Sequence, residues 1–260
     1  MKYIDIHSHL SFNDYGNDLK KVINKMKEFE VSAITIGTDL ESSKEAVKIA
    51  NENENIFACI GAHPNDKKNF VFEEKDFEEL VKNPKVVAIG ECGLDYFKII
   101  DNIEAEKNRQ KKEFVKQIEF AIKYNKPLMF HIRDAYEDVY EILKKYKGKI
   151  KGNLHFFAGN LEWAKKFIDL NLTISFTGVI TFARQYDEVI KNISLVQINA
   201  ETDSPYIAPI PYRGKRNEPI YIIEIIKKIA EIRGENFEMV KKQLLENAKK
   251  IFGLTKINNK

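Results

Sequence analysis

The chain has 260 residues, 43% of them hydrophobic and 31% charged, and its formal net charge is +3. This small basic excess argues against a general phosphate-binding surface, which would carry a much stronger basic bias. The chain has two cysteines without CxxC spacing, so no disulfide framework is predicted. Its apolar runs are too short for a membrane span, and its amino terminus lacks the apolar core of a signal peptide. We therefore expect a cytoplasmic protein.

Short segments rich in Val, Ile, Phe and Thr are typical of buried strands, and they alternate with helical patterns along the chain. Asp39 is the predicted N-cap of the second helix. The predicted strands span residues 2–7, 33–37, 56–61, 86–91, 127–132, 151–156, 172–176 and 196–202. The predicted helices span residues 17–29, 39–53, 104–125, 136–146, 161–170, 219–232 and 236–252.

This alternation of strands and helices predicts a parallel sheet with helices packed against it. Repeated βα units over residues 1–260 predict an α/β fold of the (β/α)8 type, a TIM barrel that forms a single domain. The alternative is a doubly wound open sheet, but no GxGxxG follows the first strand, which weakens its commonest version. No linker rich in Pro, Gly or Ser divides the chain.

Every histidine of the chain lies at or just past the carboxyl end of a predicted strand, where a barrel builds its active site. Side chains alternate along a strand, so His7 and His9 face the same way, about 6–7 Å apart. Two imidazoles at this spacing can bind one metal ion. The alternative is a pair of hydrogen-bonded core histidines. The five histidines are His7, His9, His63, His131 and His155.

Two carboxylates occupy equivalent positions, Glu91 at the end of the fourth predicted strand and Asp203 after the eighth. Burying a charge there is costly unless it is paired or coordinates a metal. The alternatives are an N-cap or a salt bridge to a lysine. Four histidines, one Glu and one Asp exceed the four ligands of one zinc ion, so the pattern predicts two divalent ions that share a carboxylate.

Four further residues are candidate substrate contacts, each with a plainer alternative. His63 could contact a substrate phosphate or be held by a loop hydrogen bond. Arg133 could clamp a phosphate bidentately, pair with Asp134, or cap the next helix. Arg213 and Arg216 lie in a loop after the eighth strand, where barrels often bind phosphate, although a solvated basic loop is the common alternative.

A few other residues have predicted roles in the interior or at the rim. Asp5 shares a strand face with His7 and is interpreted as a supporting or interior residue. Tyr96 and Phe182 could stack on a base, but isolated aromatic residues usually pack. Cys92 is interpreted as a buried thiol rather than a nucleophile, because no histidine adjoins it.

Together these motifs resemble the TatD family of metal-dependent deoxyribonucleases, within the amidohydrolase-like barrel superfamily. The resemblance runs from DIHSHL through GAHPND, IGECGLDY, KPLMFHIRDA, NLHFFAG and SFTGVITF to ETDSPYIAPIPYRGKRNEP. It implies a (β/α)8 barrel and Mg-dependent 3′→5′ exonuclease action on DNA, sometimes on RNA. It also implies one metal site at His7, His9, Glu91 and Asp203, a second at Glu91, His131 and His155, water activation by Asp203, and phosphate contacts by His63, Arg133 and Arg213.

The chain departs from the family pattern beside one predicted ligand. The family usually reads H-C-F-S-G where this chain has His155, Phe156, Phe157, Ala158 and Gly159, so a thiol and a hydroxyl are replaced. The acidic residue that often follows the family's first histidine motif is also missing.

Several functional questions stay open at the sequence level. The histidines favour Zn or Mn by ligand softness, whereas the resemblance suggests Mg. The alternative functions are hydrolysis of another ester or amide, such as a D-aminoacyl-tRNA ester, and a non-enzymatic binding barrel. We expect a monomer that acts on DNA or RNA.

Overall fold

The predicted strands all form, and they make one parallel sheet that is nearly closed into a barrel. The computed structural model describes residues 1–65 and 71–254. The strands are β1 (Tyr3–Ser8), β2 (Val31–Ile36), β3 (Ile56–Ile60), β4 (Val86–Asp95), β5 (Leu128–Arg133), β6 (Gly152–Leu154), β7 (Thr173–Phe176) and β8 (Ile198–Ala200).

Each strand pairs in parallel with the next, in the order β1 to β8. The last strand approaches the first through an isolated bridge between Ser8 and Ser204. Two backbone hydrogen bonds reinforce this closure, from Asp203 N to His7 O at 2.9 Å and from His9 N to Ser204 O at 2.7 Å. The fold is therefore the expected (β/α)8 barrel, and the doubly wound alternative is wrong.

Helices follow the strands in sequence, and local capping explains where several of them begin and end. Asp39 and Ser42 form a reciprocal capping box, which confirms the predicted N-cap. Gly234 and Gly253 take the left-handed conformation that ends a helix. The helices are α1 (Leu19–Glu28), α2 (Leu40–Glu52), α3 (Glu74–Val81), α4 (Ile103–Lys123), α5 (Tyr136–Leu143), α6 (Leu161–Ile168), α7 (Asp187–Asn192), α8 (Ile222–Arg233) and α9 (Phe237–Phe252).

Some sequence-based boundaries were wrong. Strand β4 continues to Asp95, so Glu91 lies within the strand and does not end it as expected. Strand β8 is shorter than the predicted segment 196–202. Helices α3 and α7 were not predicted, because each is short and buries only two residues.

Two apolar clusters fill the space around the sheet. The larger one joins the strands to the surrounding helices, and a smaller one joins residues of β1 to β5 to the carboxyl-terminal part of α9. A buried polar network crosses β6 to β8, where Asn153 Nδ2 donates to Ser175 Oγ at 2.7 Å and Asn199 Nδ2 donates to Asn153 Oδ1 at 3.1 Å. Among the described residues, no helix is long and apolar enough to cross a membrane.

Candidate metal centre

The first two histidines converge at the carboxyl end of β1. Their Nε2 atoms lie 3.3 Å apart, and both rings are almost completely buried. His9 Nδ1 lies 3.3 Å from the carbonyl oxygen of Ile36, to which it can donate, and this leaves Nε2 as a free lone pair. Asp5 stabilises this part of the barrel, because its Oδ1 atom accepts hydrogen bonds from the backbone N–H groups of His7 and Thr202. Its place in the interior matches the prediction.

Glu91 reaches the centre from β4, between two glycines that let this strand lie close to β5. Gly90 and Gly93 have φ values of +146° and +151°, and a Cβ atom at either would collide with the carbonyl oxygen of Met129 or His131. Only glycine fits such positions. The two glycines therefore allow the approach of the strands that brings the Glu91 carboxylate to the histidines.

The two oxygens of Glu91 face different groups of histidines. Oε2 lies 3.3 Å from His7 Nε2 and 3.8 Å from His9 Nε2. Oε1 lies 2.7 Å from His131 Nδ1 and 3.6 Å from His155 Nε2. The histidines hold the pKa of Glu91 well below its usual range, because their attraction outweighs the burial that would raise it. Glu91 is thus an ionised carboxylate between two nitrogen clusters.

Asp203 completes the first cluster from the segment that follows β8. Its backbone is left-handed, with φ of +53°, a conformation that Asp adopts more readily than most residues. Its Oδ1 atom lies 3.4 Å from His9 Nε2 and 3.7 Å from His7 Nε2. Burial raises the pKa of Asp203, but attraction to His155, His9 and His7 outweighs burial and lowers it. Asp203 therefore presents an ionised carboxylate to the histidines.

His131 and His155 form the second cluster with Glu91. The ring of each also faces another carboxylate, on the side away from Glu91. His131 Nε2 lies 3.1 Å from Asp95 Oδ2, and His155 Nδ1 lies 3.1 Å from Glu201 Oε1. The distance between His155 Nδ1 and Glu201 Oε1 is that of an ion pair, although this ring nitrogen is not aligned for a hydrogen bond. Carboxylates in this position commonly orient metal-binding histidines and strengthen them as ligands.

Asp95 and Glu201 are site residues that sequence reasoning missed. Both are buried, at 3% and 0% exposure. Asp95 lies four residues beyond Glu91 on β4, and Glu201 lies two residues before Asp203. For Asp95 the spacing from Glu91 was the available signal, because residues at even separation on a strand face the same side. For Glu201 the only signal was its nearness in sequence to Asp203.

The carboxylates of the centre raise the pKa of His155 and His131. Burial lowers the pKa of His155, but Glu201, Glu91 and Asp203 together raise it to about 10. His131 likewise has a raised pKa, because its hydrogen bonds to Asp95 and Glu91 outweigh burial. Burial and the nearby His131 instead lower the pKa of His63 to about 3. This concentration of buried carboxylates calls for a compensating cation.

The donor geometry fits divalent metal ions. In the first cluster, the Nε2 atoms of His7 and His9 lie 3.3 Å apart, and each lies 3.3 to 3.8 Å from an oxygen of Glu91 and an oxygen of Asp203. Ligands placed about 2.0–2.2 Å from a tetrahedral zinc ion lie about 3.3–3.6 Å from one another. In the second cluster, Glu91, His131 and His155 also bring donor atoms within 4.8 Å of one another. Both clusters therefore bring together donor atoms of the kind that bind divalent cations.

A cavity of about 510 Å³ opens above these clusters. His63 and Arg133, two of the predicted substrate contacts, lie in its wall. His63 Nδ1 accepts a hydrogen bond from Asn65 N at 3.1 Å, and its Nε2 lies 3.7 Å from Glu91 Oε1. The guanidinium of Arg133 stacks on Phe97, 3.5 Å from the ring centre.

Arg213, the third predicted substrate contact, does not line this cavity. Its side chain is exposed and stacks on the ring of Phe182, with 4.0 Å between the guanidinium carbon and the ring centre. Arg216 contacts Asp14, Asp18 and Glu218 and is bound into the loop. Cys92 is fully buried, and burial raises its pKa, so it has no features of a nucleophile.

The barrel and its histidine–carboxylate clusters define a hydrolase of the metal-dependent barrel class. Comparison with known sequences identifies the particular family: the profile of the family described as TatD related DNase matches residues 4–253. The chain belongs to the TatD family.

Similar proteins cover nearly the whole chain. The uncharacterized metal-dependent hydrolase YabD of Bacillus subtilis (strain 168) is 38% identical, over 95% of this chain and 98% of its own. The 3′-5′ ssDNA/RNA exonuclease TatD of Pantoea ananatis is 31% identical, over 96% and 99%. The crystal structure of YJJV, a TatD homolog from Escherichia coli K12, superposes with a TM-score of 0.89 at 25% identity, over 97% and 98% of the two chains.

Proposed function

We propose that this protein hydrolyses phosphodiester bonds of single-stranded DNA from the 3′ end, with RNA as a second substrate. The observation that carries this proposal is the position of Glu91, whose two oxygens each face a separate pair of histidines. A shared carboxylate of this kind is typical of two-ion phosphodiester hydrolases. The relative from Pantoea ananatis named as a 3′-5′ ssDNA/RNA exonuclease supports the choice of substrate.

The proposed ligands divide into two sets that share Glu91. The ions, of Mg, Mn or Zn, would supply Lewis-acid activation of water and charge stabilisation at the phosphoryl oxygens. The complete ligand set comes from one chain, which supports action as a monomer and as one catalytic domain over residues 1–260. The first set is His7, His9, Glu91 and Asp203, and the second is Glu91, His131 and His155.

Other residues are proposed to handle the water and the phosphate. Asp203 lines the cavity as a carboxylate, so it can orient the attacking water and accept its proton. His63 and Arg133 line the same cavity and can donate hydrogen bonds to the phosphate. Arg213, exposed on the loop after β8, is proposed to meet a phosphate farther along the strand.

A labelled-strand assay tests the proposal. Single strands of DNA and RNA, labelled at the 3′ or 5′ end, are incubated with wild-type protein and with Glu91→Ala, with Mg, Mn or Zn or with EDTA. We expect release of nucleotides from the 3′ end by the wild type, abolished by EDTA, and a loss of at least about a hundredfold in Glu91→Ala.

The matched control is Glu79→Ala, whose side chain is 85% exposed on α3. It should retain wild-type activity. Parallel assay of a D-aminoacyl-tRNA separates the alternative reaction, because hydrolysis of that ester without cleavage of either strand would overturn the nuclease proposal.

A further inference from the structure

Aromatic and aliphatic side chains form part of the wall of the cavity above the ligand clusters. Phe12, Phe156, Tyr206 and Ile207 all line it, together with Ala158. They come from the segments that follow β1, β6 and β8, so the wall depends on closure of the barrel. Such a wall beside a cluster of charged ligands suggests a substrate with an anionic part and a flat apolar part.

Two of these rings lie next to His9, a proposed metal ligand. Phe12 stacks on His9, with ring centres 4.4 Å apart and planes inclined by 16°. Tyr206 lies roughly perpendicular to Phe12 at 6.3 Å and to His9 at 6.2 Å. Tyr206 is 48% exposed although it lies beside the cavity. A group bound at the ligands and a group stacked on these rings can therefore belong to one nucleotide.

The third ring, that of Phe156, directly follows the proposed ligand His155 in sequence. Phe156 has a left-handed backbone, with φ of +44°, and its N–H donates to the buried Oε1 of Glu201 at 2.6 Å. Its ring is nearly perpendicular to His155, at 5.9 Å. That hydrogen bond stabilises the left-handed backbone from which the ring of Phe156 projects. Ala158 adds to the apolar surface.

We propose that Phe12, Phe156 and Tyr206 bind the nucleobase of the terminal nucleotide whose phosphate lies at the ligand clusters. This inference rests on the proposed nuclease function and specifies its substrate: a strand whose terminal base is unpaired and free to stack. Every base has a flat face, so stacking tolerates any sequence. A paired end would first have to lose its base pair, which disfavours blunt duplexes.

The test compares two single strands that differ only at the 3′ terminus, which carries either a normal nucleotide or an abasic one. Wild-type kcat/KM should be roughly tenfold or more higher for the strand with the base, in line with the strength of base–aromatic stacking. Tyr206→Leu and Phe156→Leu should lower this ratio towards one by slowing the normal strand alone. Tyr206→Phe, which keeps the ring, should preserve the ratio.

The matched control is Phe29→Leu, an equally conservative change at a residue that is 44% exposed. Phe29 lies between α1 and β2, at the end of the barrel opposite the cavity, so the ratio should not change. Damage to folding lowers both rates together and leaves the ratio unaltered.

Two results would overturn the inference in distinguishable ways. Equal cleavage of both strands by the wild type, or an unchanged ratio in both leucine variants, overturns base binding and leaves the nuclease function standing. Failure of the wild type to cleave either strand, where a known exonuclease cleaves both, overturns the nuclease function and the base site with it.

Discussion

The Nε2 atom of His131 lies 3.1 Å from Oδ2 of Asp95, on the other side of the imidazole from Glu91. Asp95 is itself fixed, because its Oδ1 atom accepts a hydrogen bond from Phe97 N at 2.9 Å. The ring orientation of His131 is therefore set before any cation binds. A proposed ligand held in this way needs less reorganisation to coordinate a metal.

Replacement of Asp95 by Asn tests this support. The amide keeps the size of the side chain but removes its charge, so we expect metal affinity to fall by about 10- to 100-fold. Isothermal titration of metal-free protein with Mn or Zn measures the change. Asp169→Asn, at an exposed position after α6, is the control and should bind as the wild type does. Equal affinities in both variants would show that Asp95 has no part in metal binding.

Removal of Glu91 should affect both ligand sets at once. In Glu91→Ala, each set loses a donor oxygen, and we expect both ions to be lost from protein purified without chelator. Asp203→Asn alters the first ligand set alone, so it should weaken the binding of one ion while the other ion is retained. Metal content per chain, measured by elemental analysis, distinguishes these outcomes. Full metal content in Glu91→Ala would refute the shared-carboxylate arrangement.

The raised pKa of His155 predicts a pH-dependent stability of the metal-free protein. In the unfolded chain this histidine titrates near its ordinary value of 6.5, whereas the folded value is about 10. The stabilisation is therefore complete below about pH 6.5 and is lost as pH rises towards 10. We expect the free energy of unfolding, measured with urea in EDTA, to decrease across that window.

Glu201→Gln should reduce this pH dependence. Among the groups that raise the pKa of His155, Glu201 has the largest effect. Gln removes the charge but keeps an oxygen that can accept the hydrogen bond from Phe156 N. We expect a lower pKa for His155, measured by NMR titration, and a smaller loss of stability between pH 6.5 and 10. An unchanged titration of His155 would argue against this ion pair.

Gly93→Ala should be severely destabilising. An alanine Cβ would overlap the carbonyl oxygen of His131, and the φ of +151° is unfavourable for any L side chain. We expect a loss of more than about 3 kcal/mol in the free energy of unfolding, or no soluble protein. Gly148→Ala is the control, because its φ is also positive, at +81°, but no atom lies within 4 Å of the added Cβ. It should lose only about 1–2 kcal/mol, and equal losses in the two variants would exclude the clash.

The sequence by itself determined the barrel and the positions of the proposed ligands along it. Local hydrophobic patterns predicted the strands, because a buried parallel strand must be apolar on both faces. The histidines then fell at strand ends, which parallel topology gathers on one face of the barrel. The proposed ligands His7, His9, Glu91, His131, His155 and Asp203 could be chosen for this reason, without knowledge of their distances.

Tertiary structure alone decided what those ligands contact. The pairing of Asp95 with His131 and of Glu201 with His155 depends on strand register and on closure between β8 and β1, which no local pattern encodes. The stacking of Arg213 on Phe182 outside the cavity has the same origin, since it joins loops distant in sequence. Long-range packing sets these distances, and the chemistry of the site depends on them.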